Sequence, residues 1–188
     1  MSNANVTGSV EVQNVVASTE VTLELDLDRL SLDMSGTDYD PENFPGLVYR
    51  TENPKAACLV FRSGKIVCTG ADSVEDVNTA IETLFDDLDD LGIPVPDDPN
   101  TTVQNIVSSA DLGAALNLNA LAIGLGLEDV EYEPEQFPGL VYRLDDPNVV
   151  VLMFGSGKIV ITGAEAVVDA ESALETVDGD VRELGLLG

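Results

Sequence analysis

Pro41-Glu42-Asn43-Phe44-Pro45-Gly46-Leu47-Val48-Tyr49-Arg50 returns as Pro134-Glu135-Gln136-Phe137-Pro138-Gly139-Leu140-Val141-Tyr142-Arg143, a shift of 93 residues. The same shift carries Ser63-Gly64-Lys65-Ile66-Val67-Cys68-Thr69-Gly70-Ala71 onto Ser156-Gly157-Lys158-Ile159-Val160-Ile161-Thr162-Gly163-Ala164. Upstream, Val12-Gln13-Asn14-Val15-Val16 matches Val103-Gln104-Asn105-Ile106-Val107 with a shift of 91. Several blocks in one order, twice, mark a duplication. Two copies are too few for a solenoid, so a pseudo-twofold molecule of two repeated halves is expected. The boundary falls in the Pro- and Asp-rich stretch Pro94–Pro99.

Each half reads alike. A strand is expected near Val10–Ala17, then a helical stretch over Thr19–Leu30 in the first copy and Ala110–Leu121 in the second. A short strand is expected before the Phe-Pro-Gly turn. Strands follow at Leu47–Arg50, Ala57–Phe61 and Lys65–Gly70. Val74, Val77, Ile81, Leu84, Leu88 and Leu91 then recur at helical spacing with acids between them, which predicts a long closing helix with one apolar and one solvated face.

Alternation assigns strand faces. Asn14 and Val16 oppose Val15 and Ala17; Leu59 and Phe61 oppose Cys58 and Val60; Lys65, Val67 and Thr69 oppose Ile66 and Cys68. Both faces are therefore largely apolar, while two helices per half cover only one. The other face is either a binding surface or is buried in a sandwich. The alternation alone does not separate these.

The charge balance is extreme. Eight Lys and Arg stand against 35 Asp and Glu, a net charge of −27. Such an excess ordinarily argues against a nucleic-acid ligand. At molar ionic strength, however, repulsion is screened within a few Å, so the acids are expected to describe a salt-loaded cytoplasm rather than the ligand. A hydrophobic content of 44% is too high for a disordered acidic chain. No apolar run spans a membrane and no leader is recognisable, which predicts a cytoplasmic protein. The absence of His excludes His-dependent nucleophilic triads and His-ligated zinc. Four of the eight cations sit at duplicated positions, Arg50 with Arg143 and Lys65 with Lys158, at strand ends flanking the apolar face. An anionic ligand with twofold character explains that symmetry.

These motifs resemble the archaeal TATA-box-binding protein family, of a halophilic kind, from about residue 10 to residue 178. The resemblance implies an α+β fold: a saddle of one curved antiparallel sheet, with helices on its convex face. It divides the chain into an N-terminal extension (1–9), a first repeat (10–95) and a second (96–188). It implies a general initiation factor that binds and bends A·T-rich promoter duplex through the minor groove and recruits transcription factor B and, indirectly, RNA polymerase. The bending is a property of the family rather than a reading of these residues.

Site roles follow where the motif letters agree. Phe44 and Phe61, with Phe137 and Phe154, match paired wedges that enter base steps. Asn14 and Asn105 match near-axis amides, and Thr69 and Thr162 the neighbouring hydroxyls. Val16, Val67, Val107 and Val160 line the floor, with Leu59 and Leu152, where a guanine amino group would lose hydration without a partner. Arg50, Arg143, Lys65, Lys158, Ser63 and Ser156 match phosphate contacts, which position without specifying. Glu133, Glu135 and Gln136 lie in the turn that the family presents to transcription factor B. No catalytic residue, metal or cofactor is implied. Weak homodimerisation of the free protein is compatible with an uncovered apolar face.

The chain departs from the family in two places: acids replace bases common on the upper helices, and Arg62 is opposed by Gly155. Cys58 and Cys68 become Val151 and Ile161 in the second copy, which marks them as small core hydrophobes. The two cysteines share a face on adjacent strands, yet a disulfide is unusual in a cytosol. The alternatives are a nucleic-acid enzyme domain of the same fold, or a helix-grip module for protein or lipid. The first predicts metal-dependent DNA damage; the second predicts Phe→Ala changes without effect on DNA.

Overall fold

Strand and helix follow one another in the same order twice. The computed structural model describes residues 9–186. The extension expected over 1–9 lies, except for Ser9, outside the described residues. In the first repeat the order is β1 (Glu11–Glu20), α1 (Leu27–Asp33), β2 (Thr37–Asp38), β3 (Leu47–Glu52), β4 (Lys55–Val60), β5 (Lys65–Ala71) and α2 (Val74–Asp90). The second runs β6 (Thr102–Asp111), α3 (Leu118–Leu125), β7 (Val130–Glu131), β8 (Leu140–Asp145), β9 (Asn148–Met153), β10 (Lys158–Ala164) and α4 (Val167–Glu183). Among the described residues, 14–104 form one compact unit, and 105–186 with 9–13 form the other.

In the first unit the strands lie in the order β2-β3-β4-β5-β1; in the second, β6-β10-β9-β8-β7. All of these pairings are antiparallel. The expected class, α+β with repeated antiparallel sheets and two helices each, is the one found. The short strands ahead of the Phe-Pro-Gly turns are β2 and β7.

The helical stretches start later than their sequence suggests. Residues 19–26 contain no helix, because β1 continues through Thr19 to Glu20 and α1 begins only after Asp26. Asp26 caps that helix by accepting from the Arg29 N–H (3.2 Å). In the second repeat Ala110 remains in β6, and Asn117 caps α3 through the Ala120 N–H (3.1 Å). A β-branched residue before the turn favours the strand, and the cap chemistry fixes the onset. The long closing helices are as expected. Ser73 caps α2 through the Asp76 N–H, whereas Ala166 offers α4 no side-chain cap.

Burial follows the alternation. In β1, β4 and β5 the residues Val15, Ala17, Ala56, Cys58, Val60, Ile66 and Cys68 are buried, and α2 covers them with Val77, Ala80, Ile81, Leu84 and Leu88. The second repeat repeats this with Ile106, Val151, Met153, Ile159 and Ile161 beneath Ala170, Ala173, Leu174 and Val177. Most acids of both helices are left in water; Asp178 of α4 is buried and accepts from Arg182 Nε (2.9 Å). Cys58 and Cys68 are cross-strand partners and are both buried, free thiols. A hydrogen bond with Cys68, and then burial, hold the Cys58 thiol protonated well above its ordinary range.

Each closing helix is tied to its sheet by one phenol. Tyr49 Oη donates to Asp87 Oδ2 (2.5 Å) and Tyr142 Oη to Asp180 Oδ2 (2.9 Å). Burial, then the Asp180 carboxylate, raise the Tyr142 phenol to about 12. The same causes push Tyr49 in the same direction. An unfolded tyrosine titrates near ~10. Stability from Tyr142 is therefore whole below that pH and is lost as the pH rises through about 12. Denaturant unfolding at fixed KCl should show Tyr142→Phe costing about 1 kcal/mol at neutral pH, with the gap to the parent closing above pH ~10.

A candidate minor-groove surface

The face opposite the helices carries Asn14, Val16 and Ser18 from β1; Val67 and Thr69 from β5; Ala57 and Leu59 from β4; and Val48 from β3. All are partly exposed. Registers align Val48 with Leu59, Leu59 with Val67, and Val67 with Ser18, which makes one row across four strands, apolar on three and ending on the Ser18 hydroxyl. The second unit aligns Val141, Leu152, Val160 and Ser109 in the same way. The sandwich reading therefore fails for each unit taken by itself. Val48, Val141, Ser18, Ser109, Ala57 and Val150 belong to this face too. Alternation within the expected strands already places Val48 and Ala57 on it, whereas Ser18 lies one residue beyond the strand expected to end at Ala17.

Near the edge of β1 the ladder is interrupted. Val15 pairs with Ala71 and Ala17 with Cys68, so β5 carries one extra residue at Thr69–Gly70. Gly70 supplies the positive φ (+92) that this bulge needs. Its N–H leaves the ladder and donates to Asn14 Oδ1 (2.7 Å). That bond fixes the amide: the oxygen is spent, and Nδ2 must point as a donor. Nδ2 also reaches Thr69 Oγ1 (3.1 Å), which leaves its second hydrogen for a ligand. The second unit has the same device, with Gly163 N to Asn105 Oδ1 at 2.7 Å and Asn105 Nδ2 to Thr162 Oγ1 at 3.2 Å. What this face offers at the two amides is oriented donors on an apolar floor.

The four phenylalanines meet in two pairs. Phe44 and Phe61 stand edge to face, with ring centroids 5.9 Å apart and planes at 65°; Phe137 and Phe154 are 5.9 Å apart at 71°. Phe44 and Phe137 are more than a third exposed, unusual for so large an apolar ring. Gly46 and Gly139 make the pairs possible. A Cβ at Gly46 would lie 2.8 Å from Phe44 Cε1 and 3.1 Å from Phe61 Cε1, and one at Gly139 would meet Phe137 Cε1 at 2.8 Å. The motif shows these glycines plainly, but their purpose needs the packing.

Charge is confined to the rim. Lys65 lies opposite Glu20 and Lys158 opposite Asp111, yet neither lysine forms an ion pair among the described residues. Arg50 likewise has none, whereas Arg143 Nη2 lies 3.4 Å from Glu131 Oε2. Ser63 and Ser156 stand in the turns, each Oγ 3.4 Å from the backbone N of Lys65 or Lys158. Glu133, Glu135 and Gln136 are all exposed in a turn closed by Gln136 N and Phe137 N on the Glu133 carbonyl (both 3.0 Å). In the first repeat Asp40 closes the same turn, but its carboxylate also accepts from Glu42 N and Asn43 Nδ2. No such bond holds the Glu133 side chain.

Among the described residues no group of three His, Cys, Asp or Glu is placed to hold a metal ion, and no helix is long and apolar enough to cross a membrane. The family described as transcription factor TFIID (or TATA-binding protein, TBP) matches residues 9–91 and again 100–184. The chain belongs to the TATA-binding protein family. It is 67% identical over 180 residues to TATA-box-binding protein 2 of Haloferax volcanii, covering 96% of this chain and 97% of that one. It is 63% identical to TATA-box-binding protein E of Halobacterium salinarum over 95% of this chain and 96% of that one. The solved TBP of Methanococcus jannaschii superposes with a TM-score of 0.82 at 49% identity, covering 93% of this chain and 99% of that one. The TBP fold expected from the motifs is therefore the fold of this chain, and the Haloferax and Halobacterium relatives come from halophilic archaea.

Proposed function

We propose that this chain is a general transcription initiation factor that binds A·T-rich promoter duplex with the open faces described above and bends it. One observation supports this most: the Asn14 and Asn105 amides, each locked by a glycine N–H, are presented as donors on an apolar floor. A minor groove offers the complementary acceptors, A N3 and T O2, at every A·T pair in either orientation. Val16, Val67, Val107 and Val160, with Leu59 and Leu152, would face a guanine amino group with nothing to accept its hydrogens. Thr69 and Thr162 extend the polar strip beside each amide. The phenylalanine pairs would wedge into base steps, and Arg50, Arg143, Lys65, Lys158, Ser63 and Ser156 would hold phosphates.

Recruitment of transcription factor B is assigned to Glu133, Glu135 and Gln136, whose side chains make no bond within their turn. The equivalent first-repeat turn spends Asp40 on itself, and this difference would give the complex a direction. RNA polymerase would follow through transcription factor B. The setting is an archaeal cytosol at high salt, and no step of catalysis belongs to this scheme.

Salt supplies a test. An ordinary DNA binder loses affinity as salt rises, with a slope near −0.9 for each phosphate neutralised. Here eight cations oppose 35 acids, so added cations must screen the body before DNA can approach. Affinity for a TATA-like duplex, followed by anisotropy, should stay flat or rise up to about molar KCl. A steep fall throughout that range contradicts the proposal.

A further inference from the structure

The two repeats also differ on their helices. Residues 112–127 form the longest uncharged run in the sequence, 16 residues between Asp111 and Glu128, and α3 lies inside it. The corresponding residues 21–36, at the shift of 91, carry Glu24, Asp26, Asp28, Arg29 and Asp33. Helices α1, α2 and α4 all present acids to water, whereas α3 presents Ile123, which is 79% exposed, with Leu127 just beyond it, 80% exposed. Beside them in the chain, Gly124 and Leu125 line an open groove of about 410 Å³ with Tyr142, Asp180, Glu183 and Leu184. Leu184 rests on Gly124, where a Cβ would lie 2.8 Å from its Cδ1. In the first repeat Asp33 and Leu91 stand at the positions of Gly124 and Leu184, and the matching groove is about 170 Å³. It is bordered by an ion pair, Arg29 Nε to Asp33 Oδ2 at 3.5 Å. The second repeat has Ala120 and Gly124 at those two positions, so that the pair is absent and the groove is wider.

We infer that the outer face of α3 and this groove dock an amphipathic helix of a partner protein, whose apolar stripe is flanked by Lys and Arg. The stripe buries Ile123, Leu127 and Leu184. Its cations meet Glu128 and Asp129, which end the uncharged run, and Asp180 and Glu183, which line the groove. Charge selects such a partner over a second copy of this chain, since each copy brings a net charge of −27. At molar salt attraction between charges is screened beyond a few Å, so a contact that persists there needs buried apolar area. A helix face kept free of acids on an otherwise acid-rich chain supplies that area. The docking face shares no residue with the open faces and does not rest on the minor-groove reading.

The probe is a dye-labelled synthetic helix of Leu and Lys, with its Leu on one face, followed by anisotropy in about molar KCl. Ile123→Ser with Leu127→Ser leaves the charge unchanged and should weaken binding about 30-fold. Leu32→Ser, at the position of Ile123 on α1, should match the parent. Ala120→Arg with Gly124→Asp copies the α1 ion pair at constant net charge and should also weaken binding, with both exposed side chains still present. Helix content and the response to DNA should be the same in every variant. The inference is overturned if the parent does not bind the probe, if the double Ser variant binds as the parent does, or if Leu32→Ser loses as much. It is also overturned if a peptide of equal composition, with its Leu scattered round the helix, binds equally well, since charge alone then explains the contact. A parent that sediments as a dimer in molar KCl, and as a monomer with Ile123→Ser and Leu127→Ser, overturns it in favour of a second copy.

Discussion

Phe137→Ala combined with Phe154→Ala is expected to fold normally, bind a TATA-like duplex about 100-fold more weakly, and leave the DNA straight. Folding survives because both rings lie at or beyond the surface of the open face. Phe137 is 38% exposed, and the α4-covered core of Ile159, Ile161 and Met153 is untouched. Binding does not survive, because opening a base step costs a few kcal/mol that only a flat apolar insert offsets, and each roughly 1.4 kcal/mol is tenfold in affinity. The edge-to-face pair acts as one wedge: Phe154 braces Phe137, and Gly139 leaves the gap in which they meet. Gly139→Ala should therefore mimic the double variant in part, by displacing the ring rather than deleting it. Electrophoretic phasing and circular dichroism check the two halves of this expectation. Straight DNA at undiminished affinity would show that the rings grip without wedging.

Asn105→Asp has the second largest expected effect, and it separates recognition from folding. The aspartate oxygen still accepts from Gly163 N–H and from Thr162, so the bulge keeps its anchor. The donor is gone, and a carboxylate now faces the A N3 and T O2 acceptors. Thermal stability should change little, while affinity should fall by more than about 100-fold, since an unpaired or repelled group in a desolvated contact costs about 1–3 kcal/mol before charge repulsion is added. Asn105→Ala should behave differently: it loses about 1–3 kcal/mol of binding and also some stability, because Gly163 N–H is released. If Asn105→Asp and the parent bind alike, the amide does not read the groove.

How far the sequence carried these conclusions depends on the kind of signal. The duplication was legible because identical letters recur in order. Which residues share the second face was legible from alternation in β1, β4 and β5, but whether that face is open or buried in a sandwich was not, and only the burial in each unit decides it. Helix onset was not, since Thr19–Leu30 has apolar spacing compatible with either structure, and only the Asp26 cap and the continued pairing of β1 decide it. The lock on Asn14 was also hidden. It depends on a bulge, and a bulge is a property of two strands in register rather than of one string of residues. Gly46 and Gly139 were visible as letters without a role until the rings were placed. The duplicated cations looked equivalent. They are not, because Glu131 reaches Arg143 while Asp38 forms no ion pair with Arg50.

The acidic body and the DNA ligand are reconciled by where the charge sits. The acids crowd the outer faces of α2 and α4, on the side away from the open faces. On the open faces, charge occurs only at the rim, where Lys65 and Lys158 stand opposite Glu20 and Asp111. Hydrogen-bond donors and apolar contacts at the centre of a face are indifferent to salt, and screening at molar KCl removes the long-range penalty of the body.

The most direct test is end-to-end energy transfer in a dye-labelled duplex carrying a central TATA-like site, titrated in about molar KCl. Bending through the minor groove predicts a saturable rise in transfer. That rise should persist when A·T pairs are replaced by inosine·C, which leaves the minor-groove acceptors free of an amino group, and disappear with G·C. Transfer that does not change at saturating protein, or that rises equally with G·C, would contradict it.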